Sequence, residues 1–375
     1  MIPRSIAAAH ARRSLAAFAL LAIASVAPSA AHATFSIVAF DSTTQELGVA
    51  VQSRAFSVGM AVPWAEAGVG AIATQATTNE SFGPEGLALL RGKTGRPGRA
   101  MRRMSAAEAL RTLLAADSGA THRQVGIVDW KGRSAAHTGK DCNPWAGSRT
   151  GPGYSIQGNI LAGEAVVADM ERAYLTTKGE LAQRLLAALE AAQAAGGDKR
   201  GQQSAAILVV RPSDEFPEYR ERYVDLRVED SKGPIQELVR VFGILEAQRL
   251  AEAHLRFAAM YDKKGRKDLA TMERERVGEA LARALARGEN DASNLNGLAW
   301  TCATNDVYLD QALQAAQRAV DLEPKNTGIL DTLAEVHFRM GHADKAVEVE
   351  SRALNLEPGN TYLGDQLRRF QSGTK

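Results

Sequence analysis

Only two cysteines, Cys142 and Cys302, occur in 375 residues, too few for a disulfide framework. They fall in segments of different character, so two thiols are expected. Metal-binding patterns are missing too. His122, His137, His254, His337 and His342, the histidines beyond residue 33, show no ligand spacing with one another or with cysteine, so no zinc, no other metal and no cofactor is expected. There is no G-x-S-x-G elbow and no H-E-x-x-H pair, which excludes the common serine- and zinc-hydrolase signatures. Gly92-Lys93-Thr94 looks like the end of a phosphate loop, but Leu87 stands where that loop requires its first glycine, and no strand leads in.

The basic excess is local. Arg4, Arg12 and Arg13 precede the apolar run Leu15 to Val26, then Pro28 and the small-residue end Ala31-His32-Ala33. Basic, apolar and small in that order make a secretory signal peptide over 1–33, and the apolar run is too short for a permanent membrane span. Arg12-Arg13 also fits a twin-arginine signal loosely. Export to the periplasm or beyond is the expectation. Without the leader, Lys+Arg falls by three from 45 to 42 against 43 Asp+Glu, so the formal charge moves from +2 to −1. No basic run with interleaved aromatics survives, which argues against nucleic-acid binding. The roughly 340 residues that remain suffice for two or three domains.

From Thr34 the pattern alternates, with Phe35, Ile37 and Ala39 on one side and Ser36 and Val38 on the other. A polar turn at 41–46 leads to a second strand, 47–53, and a third is expected at 69–74. Ser105-Ala-Ala-Glu108 is a capping box that starts a helix over 109–116. A hairpin is expected around 129–133, a short strand at 154–158, an alanine-rich helix at 181–195, and closing strands at 204–211 and 223–228. Strands and helices in this order predict an α+β domain over 34–233, with antiparallel sheets covered by helices.

Past Pro234 the pattern is helical, with 234–290 read as a connector or degenerate repeat and 291–375 as true repeats. Leu322-Glu-Pro-Lys-Asn326 recurs as Leu356-Glu-Pro-Gly-Asn360, Ala312 as Ala346, and Ala319 as Ala353, all 34 residues apart. That is the tetratricopeptide period. Stacked helical hairpins of this kind form a groove for an extended peptide or a partner helix, or for self-association.

Cleavage after Ala33 would leave Thr34 first. A terminal threonine carries both a hydroxyl nucleophile and an amine of unperturbed pKa roughly 7.7–8.0, suited to act as its base. The motifs Thr-Phe-Ser-Ile-Val-Ala (34–39), Gly-Val-Ala-Val-Gln-Ser-Arg (48–54), Val-Pro-Trp-Ala (62–65), Gly-Val-Gly-Ala-Ile-Ala-Thr-Gln-Ala (68–76), Arg-Gln-Val-Gly-Ile-Val-Asp (123–129), Ala-His-Thr-Gly (136–139), Gln-Gly-Asn-Ile-Leu-Ala-Gly (157–163) and Gly-Gly-Asp-Lys-Arg-Gly-Gln-Gln-Ser-Ala-Ala (196–206) resemble the bacterial domain-of-unknown-function family ten-twenty-eight. This family is placed in the N-terminal-nucleophile (Ntn) hydrolase superfamily and is distantly similar to proteasome β-subunits.

The resemblance implies an αββα sandwich and catalytic roles for Thr34, Gln52, Asn159 and Asp198. Gln52 stands where proteasome subunits have aspartate, and Asn159 where they have a serine beside the terminal amine. The lysine expected after the second strand has no counterpart in 60–73. Ser53, Arg54, Gln75, Thr77, Asn79, Gln203 and Ser204 are the candidates for binding substrate or oxyanion. Two functions follow as expectations. One is an exported hydrolase of a linear C–N amide bond in a small peptide, acylated amine or peptidoglycan fragment. The other is a non-catalytic scaffold working through its repeats.

Overall fold

A computed structural model describes residues 34–92, 102–286, 288 and 290–373. The expected leader and Lys93-Thr94 lie outside the described residues. In chain order the first part comprises β1 (Thr34–Phe40), β2 (Leu47–Ser53), α1 (Val58–Ala61), β3 (Pro63–Glu66), β4 (Gly70–Ala76), α2 (Phe82–Arg91), α3 (Ala106–Ala115), β5 (Arg123–Asp129), β6 (Ser134–Thr138), β7 (Gly147–Gly151), β8 (Tyr154–Asn159), α4 (Ala165–Thr176), α5 (Leu181–Ala194), β9 (Ser204–Val210), α6 (Tyr219–Arg222) and β10 (Val224–Val228). The rest is helical: α7 (Pro234–Leu245), a π-turn (Glu246–Leu250), α8 (Ala251–Lys263), α9 (Lys267–Ala286), α10 (Ala292–Thr304), α11 (Leu309–Leu322), α12 (Thr327–Arg339), α13 (Ala343–Leu356) and α14 (Thr361–Ser372). A mixed α/β region followed by an all-helical one matches the expectation.

The strands form a six-stranded sheet, β10-β9-β2-β1-β8-β7, and a four-stranded sheet, β3-β4-β5-β6. Side chains alternate across a strand, so each sheet has two faces to bury. Val38, Val49 and Val51 of the large sheet meet Ala71, Ala73 and Val128 of the small one. On the outer face of the large sheet, Phe35, Ile37 and Ile156 pack under Val167, Met170, Leu185 and Leu189 of α4 and α5. On the outer face of the small sheet, Ile72, Val125 and Ile127 pack under Leu87, Leu90, Leu110 and Leu113 of α2 and α3. The layers are therefore helix, sheet, sheet, helix.

Helix α3 starts as its capping box predicts, with Ser105 Oγ accepting from Glu108 N and Glu108 Oε2 accepting from Ser105 N. Helix α2 was not legible, because Gly83, Pro84 and Gly86 read as breakers. Pro84 is tolerated in the first turn, where no intrahelical partner is lost. The glycines allow the helix to lie close to the sheet: a Cβ on Gly83 would come 2.2 Å from the Trp64 ring, and one on Gly86 2.4 Å from Ile72. Gly83→Ala is accordingly expected to destabilise the fold by about 1–3 kcal/mol through overpacking, read as a lowered urea midpoint with an unchanged slope.

The segment expected as a connector is helical but shares the sandwich's core. Ile235, Leu238, Phe242, Leu250 and Phe257 are buried with Leu189, Val209 and Tyr223. A charged knot seals this junction. Arg211, immediately after β9, has no exposed side-chain surface and reaches Glu46 at 3.3 Å and Glu273 of α9 at 2.5 Å. His254 of α8 bonds Glu273 at 2.7 Å, while Arg276 lies 3.7 Å from Glu46 and 3.9 Å from Glu180.

Further on, the sequence repeat acquires a physical meaning. Asn326 and Asn360 cap α12 and α14 by accepting from the backbone N–H groups of those helices' first turns. Ala312, Ala319, Ala346 and Ala353 are fully buried where helices cross, and Pro324 and Pro358 each follow a helix end. One position in this region is electrostatically costly. Glu350 of α13 is fully buried, and neither carboxylate oxygen has a hydrogen-bond partner among the described residues. Burial, with Asp331 and Glu335 nearby, pushes its pKa up to about 8 despite Arg369. Because the folded chain holds this proton better than the unfolded one, stability falls as pH rises from about 4.5 to about 8 and levels off above. Glu350→Gln is expected to remove that slope from the melting temperature between pH 5 and pH 8.5.

Both cysteines are free thiols. Cys302 is buried in α10, where burial raises its pKa to about 12, and burial also raises that of Cys142.

Candidate active site around Thr34

Strand β1 lies centrally in the large sheet, so its first residue has a strand on either side. Thr34 pairs with Ser53 of β2 and with Asn159 of β8. It is only 2% exposed, and its hydroxyl donates to Ser53 Oγ at 3.0 Å. In this chain Thr34 follows Ala33, so its nitrogen is an amide, which is not basic.

A neutral polar layer extends from Thr34 between the sheets. Gln124 Oε1 accepts from Asn159 Nδ2 at 2.9 Å and from Gln75 Nε2 at 2.8 Å, while Gln124 Nε2 donates to Gly158 O at 2.8 Å and Thr138 Oγ1 at 3.0 Å. Gln75 Nε2 also reaches Thr34 O at 3.2 Å, and its Oε1 accepts from Ser36 Oγ at 2.6 Å. Gln157 continues the chain, donating to Ser36 O at 3.2 Å and accepting from Ser155 Oγ at 2.8 Å. Gly126 makes room for it, since a Cβ there would lie 2.1 Å from Gln157 Oε1. These groups are buried but uncharged and bonded, so the layer avoids the cost of burying ions. The network also fixes the orientation of the Asn159 amide: Nδ2 is held by Gln124, and Oδ1 takes no part.

The segment 197–201 crosses over the start of β1. Ile160, directly after Asn159, is left-handed at φ 52°, a costly conformation for a β-branched residue. It turns the chain so that Leu161 bridges to Asp198, and Lys199 N donates to Ile160 O at 3.1 Å. On the other side Asp198 Oδ2 accepts from Arg54 N at 2.9 Å. Asp198 thus ties the ends of β8 and β2 together above Thr34, and it also pairs with Arg200 at 3.0 Å.

The remaining candidates are placed differently. Gln52 pairs with Phe35, whose side chain belongs to the helix-covered face, so strand alternation puts Gln52 on the face opposite the Thr34 hydroxyl. Neither of its amide atoms has a partner among the described residues. Ser204 is committed to the backbone, donating to Ala55 O at 2.6 Å and accepting from Val58 N at 3.0 Å. The geometry therefore does not join Gln52 or Ser204 to Thr34, and it commits the Gln75 amide to the network. Thr77 is exposed and Asn79 partly so, in the turn after β4, where Ala76 is left-handed at φ 69°. Gln203 Oε1 accepts from Arg54 Nη1 at 2.9 Å.

Gln124, Ser36 and Gln157 were missed. Their signal was parity: Thr34, Ser36 and Val38 share a face, as do Ala73 and Gln75, or Gln124 and Val128. A polar residue at an inward position of a buried strand marks such a layer. Among the described residues, no group of three or more histidine, cysteine, aspartate or glutamate side chains is placed to hold a metal ion.

Taken together, this is an α/β sandwich with a buried threonine at the head of its central strand and an all-helical C-terminal region. The chain belongs to the family of unknown function DUF1028, whose model matches residues 34–238. It is similar to the crystal structure of SPO2555 from Silicibacter pomeroyi, a protein of the same family, with 30% identity and a TM-score of 0.50 over 59% of this chain and 92% of that one. A weaker likeness, with 18% identity and a TM-score of 0.23, covers 33% of this chain and 93% of the first TPR of Spaghetti (RPAP3) bound to an HSP90 peptide. No functionally curated protein matches the chain.

Proposed function

We propose that the chain, once it begins at Thr34, is an exported N-terminal-threonine hydrolase of a linear amide bond, of the Ntn type. The observation that carries this reading is the position of Thr34: it heads the central strand between Ser53 and Asn159, under the Asp198 segment, with its hydroxyl bonded to Ser53. A serine hydroxyl can relay a proton but is too weak a base to keep it near neutral pH. An α-amine on Thr34 supplies that base.

In this mechanism Thr34 Oγ attacks the amide carbon while its proton passes, through water or Ser53, to the Thr34 amine. The C–N bond then breaks, the departing nitrogen takes that proton, and an ester to Thr34 remains. Water attacks the ester, gives its proton to the amine, and releases a carboxylic acid with the hydroxyl restored. Asn159 Oδ1 accepts from the terminal amine and orients it, and Asp198 positions the segment overhead. Gln52 and Ser204 serve the fold rather than the reaction. Signal peptidase would then be the activating protease, since a mid-chain Thr34 has no amine. The test is covalent: an electrophilic β-lactone should acylate the exported protein on Thr34.

A second reading rests on the C-terminal helices, where a groove of ≈ 880 Å³ is lined by Leu285, Leu313, Gln317, His337, Lys345 and Val349. Helical hairpins of tetratricopeptide type would present it to a protein segment. A chain led by Thr34 that never reacts with the lactone would put this binding role first.

A further inference from the structure

We infer that Gln124 is a positioning residue for the amine of a chain led by Thr34, because it locks the Asn159 side chain with its carbonyl oxygen turned to that amine. This rests on the Thr34 reading and deepens it by naming what sets the base. The argument is one of hydrogen-bond direction. An amide side chain turns end for end at almost no cost in shape, so its orientation is dictated by neighbours that only accept or only donate. Backbone carbonyls are such neighbours. Gln124 Nε2 lies 2.8 Å from Gly158 O and 3.2 Å from Gly147 O, and neither carbonyl can donate. Gln124 Oε1 is therefore forced to the other side, where it can only accept.

Two amides meet that oxygen. Gln75 Nε2 approaches it at 2.8 Å and also lies 3.2 Å from Thr34 O and 3.4 Å from Gln157 O, so two further carbonyls fix Gln75 in the same sense. Gln124 is thus one shared amide nitrogen away from the Thr34 backbone. Asn159 Nδ2 is the second, at 2.9 Å, and with Nδ2 committed, Oδ1 is the end of that amide that remains. Asn159 stands opposite Thr34 in the register of β1 and β8, where paired side chains share a face and Cβ atoms lie about 4.5–5.5 Å apart. An oxygen there accepts from an ammonium and favours the protonated amine, whereas a reversed amide would donate to the neutral amine and disfavour protonation. Gln124 carries that direction from carbonyls of β7 and β8 to the base. The charged groups of the segments around the terminus are Asp198, paired with Arg200 at 3.0 Å, and the exposed Arg54 and Lys199. Gln124 bonds none of them, and its own layer holds only amides and hydroxyls, so exchanging it leaves their field in place.

The experiment follows lactone labelling of Thr34 against pH in the full-length protein purified after export. The midpoint of the profile reports the amine. Gln124→Met keeps much of the bulk and removes every hydrogen bond of the side chain, and the midpoint is expected to fall by at least about one pH unit, the scale of one hydrogen bond to a charged group. Gln124→Glu is isosteric, and burial against two carbonyls keeps its carboxyl neutral, so it should donate to Gly158 O, accept from Asn159 and retain the parental midpoint. A merely structural role would lower the rate without moving the midpoint. Melting temperatures verify folding. An unmoved midpoint in a folded Gln124→Met, or an equal fall in Gln124→Glu, overturns the inference. Neutron diffraction from crystals of the parent decides it where Gln124→Met fails to fold: the Asn159 nitrogen toward Gln124 and its oxygen toward the Thr34 amine are expected, and the reverse overturns it. Labelled Thr34 with an unmoved midpoint sinks only this inference, whereas a parent that never labels sinks the Thr34 reading and this inference with it.

Discussion

Thr34→Ala is expected to abolish acylation by an electrophilic β-lactone, a loss of about a thousandfold or more, while Thr34→Ser keeps measurable reactivity. Alanine removes the nucleophile and leaves the strand. The side-chain bond to Ser53 at 3.0 Å contributes about 1 kcal/mol, so its loss should leave the variant folded. Serine retains hydroxyl and amine but lacks the γ-methyl that fixes the threonine rotamer, and its rate should fall less. Ser53→Ala should lie between the two, because the hydroxyl it removes orients the nucleophile but does not attack. Time-resolved intact-mass measurements of the three variants against the parent give this order directly. Equal labelling of parent and Thr34→Ala would transfer the chemistry to another residue.

Arg211→Met is expected to produce the largest loss of stability, about 3–5 kcal/mol, by leaving buried carboxylates with too little positive charge. Arg211 lies between Glu46, in the turn before β2, and Glu273 of α9, closer to each than Arg276 does. Burial by itself would push the Glu273 pKa up. The His254 hydrogen bond and the nearby Arg211 and Arg276 outweigh it and hold the carboxyl down to about 2. A depressed carboxyl stabilises the fold above its unfolded pKa of about 4.5, and this contribution is lost as pH falls from there toward 2. The parent should therefore lose stability progressively across that acid range, and Arg211→Met should show a weaker acid dependence from a lower starting point. Guanidinium titrations at pH 7 and pH 3.5 measure both. A loss below about 1 kcal/mol at pH 7 would mean that the knot is not what joins helices α7 to α9 to the sandwich.

How much was legible in the sequence differed from element to element for physical reasons. Short apolar runs bounded by polar turns, such as β1 and β2, and the capped helix α3 declare themselves through composition and end signals. The 34-residue recurrence likewise marked buried alanines and capping asparagines that the helices do use. Helix α2 was hidden because its glycines serve contact with Trp64 and Ile72, and close approach leaves the same letters as a loop. The continuity of α7 and α8 with the sandwich was hidden too, because an amphipathic pattern shows that a face is buried without saying against what.

At the site, Thr34, Asn159 and Asp198 were placed through motifs. Register then decided the rest: one residue along β2 separates Ser53, bonded to Thr34, from Gln52 on the opposite face. Gln124 needed the second sheet to be in place before its role as the hub of the inter-sheet amides could be seen.

The most direct measurement is peptide mapping by mass spectrometry of the exported protein after treatment with the lactone. The account predicts a mature chain that begins with Thr34 and carries one probe mass on that first residue. A chain that begins elsewhere, or a probe mass on any other residue, would contradict it.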